Sequence, residues 1–413
     1  MNRRLFRYRF LWLFLTLTGA SAVWAQNPGR RLDNGNTTVS PPLKLGLIRD
    51  VAISADGKLA MAGDSERTIW VWDVPNRKLV RVIPDPLKSR RANPRYAFSA
   101  DGKFALVGNR DDGQRDGWPI VEPDPSTLTF WDLNAGVKLR TFELVKDEQV
   151  QAIALSPDGR WAVSSSVWKT IILREPRPDE EGDLRSLFSR CVMTLYALKV
   201  WDTSTGKLVH TLSDTDTTPF RCLAFTPDSE FLMTPLIGPR PPFGEKQTWY
   251  LKKWKTSWGQ DFGAKSMEAN WTYGIGDTFA LSPDGKSIVM ANVSSVGLWN
   301  LTTGKLLWEQ SCYEECKIMH EGRVLYHGSI RSLAFSPDSK RVVAAGWGGQ
   351  KSGGMIMMDA VTGKKMPGFV GLHDGSVWST SFTPDGRTLI GATVKGMRCW
   401  EARTGAALFA LKD

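Results

Sequence analysis

The sequence predicts an all-β fold, a seven-bladed β-propeller of four-stranded antiparallel blades, preceded by a signal peptide. Two observations predict the propeller. A short turn motif recurs seven times, its aspartates 45, 57, 70, 56, 54 and 47 residues apart, and a second motif ending in Trp-Asp follows most copies. A repeat of this length with four short strands is typical of a propeller blade. One blade cannot bury both of its faces alone, whereas seven blades in a ring can.

The first motif is a tight turn of the form Ser/Thr-Pro/Ala-Asp-Gly/Ser that follows a short apolar strand. Proline presets φ at the second turn position, aspartate bonds to the nearby backbone, and glycine accepts the left-handed conformation that ends the turn. Every copy also has Ala or Ser four residues before the aspartate, where a small side chain allows strands to pack closely. The seven aspartates are Asp56, Asp101, Asp158, Asp228, Asp284, Asp338 and Asp385.

The second motif is a strand ending in Trp-Asp or a similar pair, followed by a Thr-Gly-Lys-like turn and a last strand. Blade four offers Trp254 at the tryptophan position, and blade six has Met358 there. Each unit therefore reads strand, turn, strand, variable link, strand, turn, strand. The pairs are Trp72-Asp73, Trp131-Asp132, Trp201-Asp202, Trp299-Asn300 and Trp400-Glu401.

These two motifs resemble the WD40 family over about residues 46–413. The resemblance implies a propeller that acts as a scaffold for binding partners. WD40 blades often contain a buried His–Asp–Ser–Trp network, but here only His373 supplies the histidine, and Val394 stands where its aspartate is expected. We therefore expect tryptophan packing to hold the blades together without this network.

The domain boundaries follow from the repeats. Residues 1–25 are expected to be a signal peptide, and residues 26–45 a linker or a closing edge strand. The propeller is expected over 46–413, with blades near 47–92, 93–148, 149–218, 219–272, 273–328, 329–372 and 373–413.

The signal-peptide prediction rests on the first 25 residues. Four arginines precede an apolar segment that is too short to span a bilayer, and small residues then favour cleavage after Ala25, with Ala22 as the alternative. No cysteine lies near the cleavage site to carry a lipid, and no later stretch is long and apolar enough for a transmembrane helix. We expect the protein to be exported, either periplasmic or secreted. The arginines are Arg3, Arg4, Arg7 and Arg9.

The chain is basic, with a formal net charge of +10. Net charge bears on solubility and partners rather than on fold. In an exported protein, an anionic envelope polysaccharide is a more suitable basic-surface partner than nucleic acid, and we expect no nucleic-acid binding. A mildly basic surface without such a partner is the simpler alternative.

Extra length falls only between the second and third strands of a blade, or between blades. Because strands alternate in direction, these links open on one side of the disc, the loop-rich face, and the turns of both motifs lie on the other, the tight-turn face. Loops on a rigid scaffold are where binding usually occurs, and Trp and Arg often dominate interfaces. The candidate partner-binding residues are Arg110, Arg115, Trp118, Trp168, Arg174, Arg177, Trp347 and Lys351.

The link after blade five carries Cys312, Cys316, His320 and His327. In an oxidising compartment, a local Cys312–Cys316 disulfide is one interpretation. Plain thiols are a second. A zinc site is a third, since helical spacing would put the first three residues on one face. We predict no resident metal.

No catalytic motif is present. The chain has only four histidines, no Gly-x-Ser-x-Gly and no His-Glu-x-x-His. In blade five, "NLTTGKLLWEQ" (300–310) also resembles the repeat of pyrroloquinoline-quinone propellers, but only this copy does. We therefore predict a non-catalytic scaffold that binds a protein partner and has no cofactor. A quinone-dependent or metal-assisted enzyme and a carbohydrate-binding module are the alternatives.

Overall fold

The computed structural model describes 18 ranges of the chain: 46–84, 93–110, 114–115, 118–119, 127–145, 148–172, 192–214, 220–237, 248–256, 261–268, 275–292, 295–312, 317–320, 323–327, 329–346, 354–369, 376–393 and 395–411. Within these ranges every regular element is a β-strand and there is no helix. No helix able to cross a membrane therefore occurs in the part of the chain described. The expected signal peptide and linker lie outside these ranges and stay predictions.

The first three blades are four-stranded antiparallel sheets, each built from one continuous segment of chain. A two-stranded hairpin is inserted within blade two. Blade one is β1 (Ile48–Ile53), β2 (Leu59–Asp64), β3 (Thr68–Asp73) and β4 (Lys78–Pro84). Blade two is β5 (Asn93–Phe98), β6 (Phe104–Arg110), β9 (Leu128–Asp132) and β10 (Val137–Phe142), with the hairpin β7 (Gln114–Arg115) and β8 (Trp118–Pro119). Blade three is β11 (Gln149–Leu155), β12 (Trp161–Ile172), β13 (Val192–Asp202) and β14 (Leu208–Asp214).

Four further blades complete the ring, with a second hairpin between blades five and six. Blade four is β15 (Ala224–Phe225), β16 (Phe231–Ile237), β17 (Thr248–Lys255) and β18 (Asp261–Glu268). Blade five is β19 (Ile275–Leu281), β20 (Ser287–Asn292), β21 (Ser295–Asn300) and β22 (Leu306–Ser311), and the hairpin is β23 (Lys317–His320) and β24 (Arg323–His327). Blade six is β25 (Ile330–Phe335), β26 (Arg341–Gly346) and β27 (Met355–Asp359). Blade seven is β28 (Val377–Phe382), β29 (Thr388–Thr393), β30 (Gly396–Glu401) and β31 (Ala407–Leu411).

The predicted fold class, an all-β seven-bladed propeller of four-stranded antiparallel blades, is confirmed. Blade six departs from the pattern in detail. Its sheet has three strands, and a single bridge between Met358 and Lys365 stands in for the fourth among the described residues. Pro367 follows at once, and proline has no N–H to continue a ladder.

All seven turns of the first motif share one hydrogen-bond pattern. The Ser or Thr hydroxyl donates to the aspartate two residues later, as Ser54 does to Asp56 at 2.6 Å, and the aspartate accepts the N–H two residues beyond it at 3.0–3.1 Å. Two copies end in serine rather than glycine, Ser229 and Ser339, with φ of 63° and 59°. Each serine hydroxyl accepts the backbone N–H of the aspartate in the preceding blade, at 3.3 and 3.2 Å. These two turns therefore tie neighbouring blades together.

Acid should destabilise the ring through these turns. The hydroxyl hydrogen bond holds the pKa of four turn aspartates below the usual 3.8, namely Asp56, Asp228, Asp284 and Asp385. With the folded pKa below the unfolded one, this contribution is fully present above about pH 4 and is lost as pH falls through the folded pKa. We expect Tm, followed by circular dichroism, to drop steeply below about pH 4. Combined Asp284→Asn and Asp385→Asn substitutions should make that drop shallower, and an unchanged slope would contradict this role.

The core lies between the facing surfaces of adjacent blades, and the repeat tryptophans are buried there. Trp72, Trp131, Trp201, Trp254, Trp299 and Trp400 are all at most 4 % exposed. Met358 is fully buried at the same place in blade six. Its partner across the ladder is Val342, just as Ala60 lies opposite Trp72.

Separate hydrogen bonds within single blades take the place of the His–Asp–Ser–Trp network that is typical of WD40 blades. The indole N–H of Trp70 donates to the buried carboxylate of Asp64 at 2.8 Å, and that of Trp131 donates to Thr129 at 2.9 Å. Asp64 also accepts the backbone N–H groups of Gly46, Glu66 and Thr68. Blade one therefore satisfies its buried acid locally, and no histidine takes part in these bonds.

The ring closes by packing blade one against blade seven. A shared core cluster joins Ile48, Trp70 and Trp72 to Ile390 and Met397, among others. The backbone N–H of Val51 also donates to the Ser379 hydroxyl at 3.2 Å. The fourth strand of blade seven is β31, from the same segment as the rest of that blade.

Candidate functional site

The tight-turn face is occupied by contacts between blades. The Arg140 guanidinium donates to the carbonyl of Thr203 in the next blade at 2.9 Å. Arg341 does the same to Ala402 and Gly386, both at 2.9 Å. The Trp308 indole, from the blade-five segment that resembles quinone propellers, donates to the Ala360 carbonyl of blade six at 2.8 Å. These polar groups hold the ring together.

The loop-rich face carries projecting hairpins. Beyond the pair Val167 and Tyr196, β12 and β13 continue as a two-stranded arm as far as Ile172 and Val192. The hairpin of β7 and β8 pairs Arg115 directly with Trp118, and β23 and β24 form the third hairpin.

The predicted partner-binding residues are spread over these elements. Arg110 ends β6, Arg115 and Trp118 are paired in the backbone ladder of β7 and β8, and Trp168 lies at the bulge of β12 between Val167 and Lys169. The other four, Arg174, Arg177, Trp347 and Lys351, lie outside the described residues. Their joint role stays a prediction.

The structure contradicts one of the three interpretations of the link that carries Cys312 and Cys316. Residues 317–320 form a strand that pairs with β24, so the helical spacing proposed for a zinc site that includes His320 is wrong. Cys312 is fully buried at the end of the preceding segment, and Cys316 lies outside the described residues. The Cys312–Cys316 disulfide therefore stays a prediction. Within the described ranges, no three His, Cys, Asp or Glu side chains converge as a metal site.

A cavity lies on the axis of the ring, and no pattern considered in the sequence predicted it. It has a volume of about 260 Å³ and is lined by residues from the innermost strand region of all seven blades. These residues stand towards the beginning of the innermost strands, away from the first-motif turns, so the cavity lies on the loop-rich side of the channel. Its charged lining residues are Arg49, Asp50, Arg95, Arg221 and Arg331.

β-Bulges place several of these side chains. The ladder register slips between residues 48 and 50, 150 and 152, 330 and 332, and 377 and 379. A bulge leaves one residue outside the ladder and re-aims its side chain. The residues so displaced all line the cavity: Arg49, Gln151, Arg331 and Trp378.

The repeat register makes this position recognisable in retrospect. Each bulged residue stands five positions before the Ser or Thr of the first turn, and Arg221 and Asp277 stand there in blades four and five. Blade two has Pro94 at this position and no register slip between β5 and β6, and its cavity residues are Arg95 and Tyr96, one and two positions later. Comparison of this one position across the repeats would have revealed the cluster.

Trp378 forms an aromatic wall between two cations. The guanidinium carbon of Arg49 lies 5.2 Å from its ring centroid and that of Arg331 lies 6.0 Å from it. The buried indole Nε1 of Trp378 has no hydrogen-bond partner among the described residues. Such stacking holds guanidinium groups in place, and an unpaired buried N–H is costly without an acceptor.

Asp50 is the acid within this cluster. It accepts the backbone N–H of Tyr96 from blade two at 3.1 Å. Burial raises the pKa of Asp50, while the charges of Arg95 and Arg49 and the Tyr96 hydrogen bond act in the opposite direction. Among the described lining residues, four guanidinium groups and one carboxylate give an excess of positive charge.

Comparison with known proteins agrees with the architecture. The family described as "WD domain, G-beta repeat" (WD40) matches the chain at residues 43–73, 136–174 and 321–350. No curated protein matches the chain. Together with the seven-bladed ring, the three matches support a WD40-repeat propeller. This fold is consistent with a protein-interaction scaffold and is typically non-catalytic.

Proposed function

We propose that the protein is an exported, non-catalytic scaffold that binds a protein partner through its loop-rich face. The observation that carries the proposal is the contrast between the faces. The tight-turn face uses its arginines and Trp308 for bonds between blades, whereas the loop-rich face projects hairpins that contain Arg115, Trp118 and Trp168. The basic amino-terminal segment before the propeller supports export.

Site-specific cross-linking tests which face binds. A photoreactive residue placed at Trp118 should cross-link a discrete partner from envelope extract, and one placed at Lys305 in a turn of the second motif should not. Cross-linking from Lys305 alone would place binding on the tight-turn face and contradict the proposal. Failure at both positions under conditions where the protein is folded would reject the scaffold proposal.

Replacing Trp118, Trp168 and Trp347 with alanine should abolish partner capture and leave the fold intact, because these positions lie outside the repeat tryptophan core. A central interface tryptophan contributes about 2 kcal/mol or more. The matched control replaces Lys207, Lys305 and Lys364, exposed lysines of the tight-turn face, and should leave capture unchanged. Capture measured by quantitative pull-down, with melting curves for both variants, decides between the faces. The reverse outcome would contradict the proposal.

A further inference from the structure

We propose that the axial cavity is a receptor for an acidic peptide segment of the partner, binding at least two of its carboxylates. This inference rests on the proposed function and specifies the chemistry at the centre of the same face. Four guanidinium groups and one carboxylate are among the described lining residues. Asp277 adds a second acid to β19 at the equivalent repeat position. The excess of arginine favours an anionic ligand, and arginine is well suited to binding carboxylates.

The distribution of the arginines favours several carboxylates rather than one small anion. Arg49, Arg95, Arg221 and Arg331 come from blades one, two, four and six, so they surround the axis. A peptide can present acidic side chains at intervals and so reach arginines on different sides of the axis. A volume of about 260 Å³ accommodates side chains rather than a folded element.

The site is also built to place its donors. Arg49 and Arg331 are held at bulges and stack on Trp378, whose buried Nε1 has no acceptor among the described residues. Bulges impose a local irregularity on the sheet, and here they displace side chains into one cavity.

Binding of a fluorescein-labelled hexaglutamate peptide, followed by anisotropy at low ionic strength, tests the receptor directly. We expect the double variant Arg49→Gln/Arg331→Gln to bind at least tenfold more weakly, since a hydrogen bond to a charged group contributes about 1.5–3 kcal/mol. The matched control, Arg387→Gln/Arg403→Gln, removes the same charge from exposed turns on the opposite face and should change affinity less than about twofold. If both double variants lost the same affinity for hexaglutamate, the effect would come from overall charge alone and the proposal would be wrong.

A variant that binds the peptide more tightly cannot be explained by misfolding, and Asp50→Asn is expected to be such a variant. Asp50→Asn keeps an oxygen that can accept the Tyr96 N–H and removes a negative charge from the cavity. We expect it to bind hexaglutamate more tightly than the unmodified protein, and weaker binding would contradict the receptor. A hexaglutamine peptide should not bind. If inorganic phosphate competes as well as hexaglutamate, the cavity is a small-anion site and the peptide proposal is wrong.

Failure of this inference can be separated from failure of the proposed function. The Trp118, Trp168 and Trp347 variant should lose partner capture yet still bind hexaglutamate, because these positions lie at or after the second strand of their blades, away from the innermost strands that line the cavity. If partner capture persists in the Arg49→Gln/Arg331→Gln variant and hexaglutamate binding is absent in every form, the scaffold stands and the cavity receptor is rejected.

Discussion

Replacing Glu148 with alanine is expected to destabilise the protein by about 3–5 kcal/mol, because it leaves a buried lysine without its partner. The side chains of Glu148 and Lys199 are 0 % and 7 % exposed and form an ion pair. Glu148 also accepts the Ser166 hydroxyl and the backbone N–H of Val145. One carboxylate therefore satisfies three donors at the base of the β12–β13 arm.

A double substitution separates the charge from the packing. Glu148→Leu combined with Lys199→Met removes both charges and keeps comparable side-chain volume, so it should cost far less than either single change. Guanidinium unfolding of the two single variants and the double variant measures the coupling. If the double variant loses as much stability as the sum of the single ones, the ion pair is not the cause.

Gly63→Ala is expected to cost about 3 kcal/mol or more through a clash between blades one and two. An added Cβ would lie 2.2–2.3 Å from ring atoms of Tyr96. That ring is 7 % exposed, and its hydroxyl donates to the Asp64 carbonyl at 2.8 Å, so it has little freedom to move.

The comparison variant is Gly285→Ala. This glycine has a φ of +69° and no atom within 4 Å of an added Cβ, so alanine there meets only backbone strain of about 1–2 kcal/mol. Thermal or urea unfolding should rank Gly63→Ala as the more damaging of the two. Adding Tyr96→Ala to Gly63→Ala should relieve part of the loss beyond additivity, and strictly additive effects would argue against the clash.

The sequence predicted the ring because its local chemistry repeats. The hydroxyl–aspartate turn and the buried tryptophan each depend on a few adjacent residues, so each copy is readable alone. Among the described residues, the fourth strand of blade six is reduced to one bridge because Pro367 has no N–H to continue the ladder, and this residue is visible in the sequence. The Glu148–Lys199 pair joins residues 51 positions apart and has no local signature.

The axial cavity was missed for a different reason. In a regular strand, side chains alternate between faces, so the residue five before the turn is assigned by parity. A bulge breaks that alternation and is defined by pairing with the neighbouring strand rather than by residue type. From the sequence alone, Arg49 and Arg331 cannot be distinguished from ordinary surface arginines. Their position becomes clear only from the register of β1 with β2 and of β25 with β26.

The closure of the ring has a consequence for chain order. Every blade comes from one uninterrupted segment, and blade seven obtains its last strand, β31, from its own segment rather than from the region before β1. Blades one and seven meet through side-chain packing and the Val51–Ser379 bond, as other neighbouring blades meet. The junction between first and last blades is thus topologically equivalent to the remaining six. A circular permutant that joins Leu411 to Ile48 by a short linker and opens the chain between β14 and β15 should fold into the same propeller.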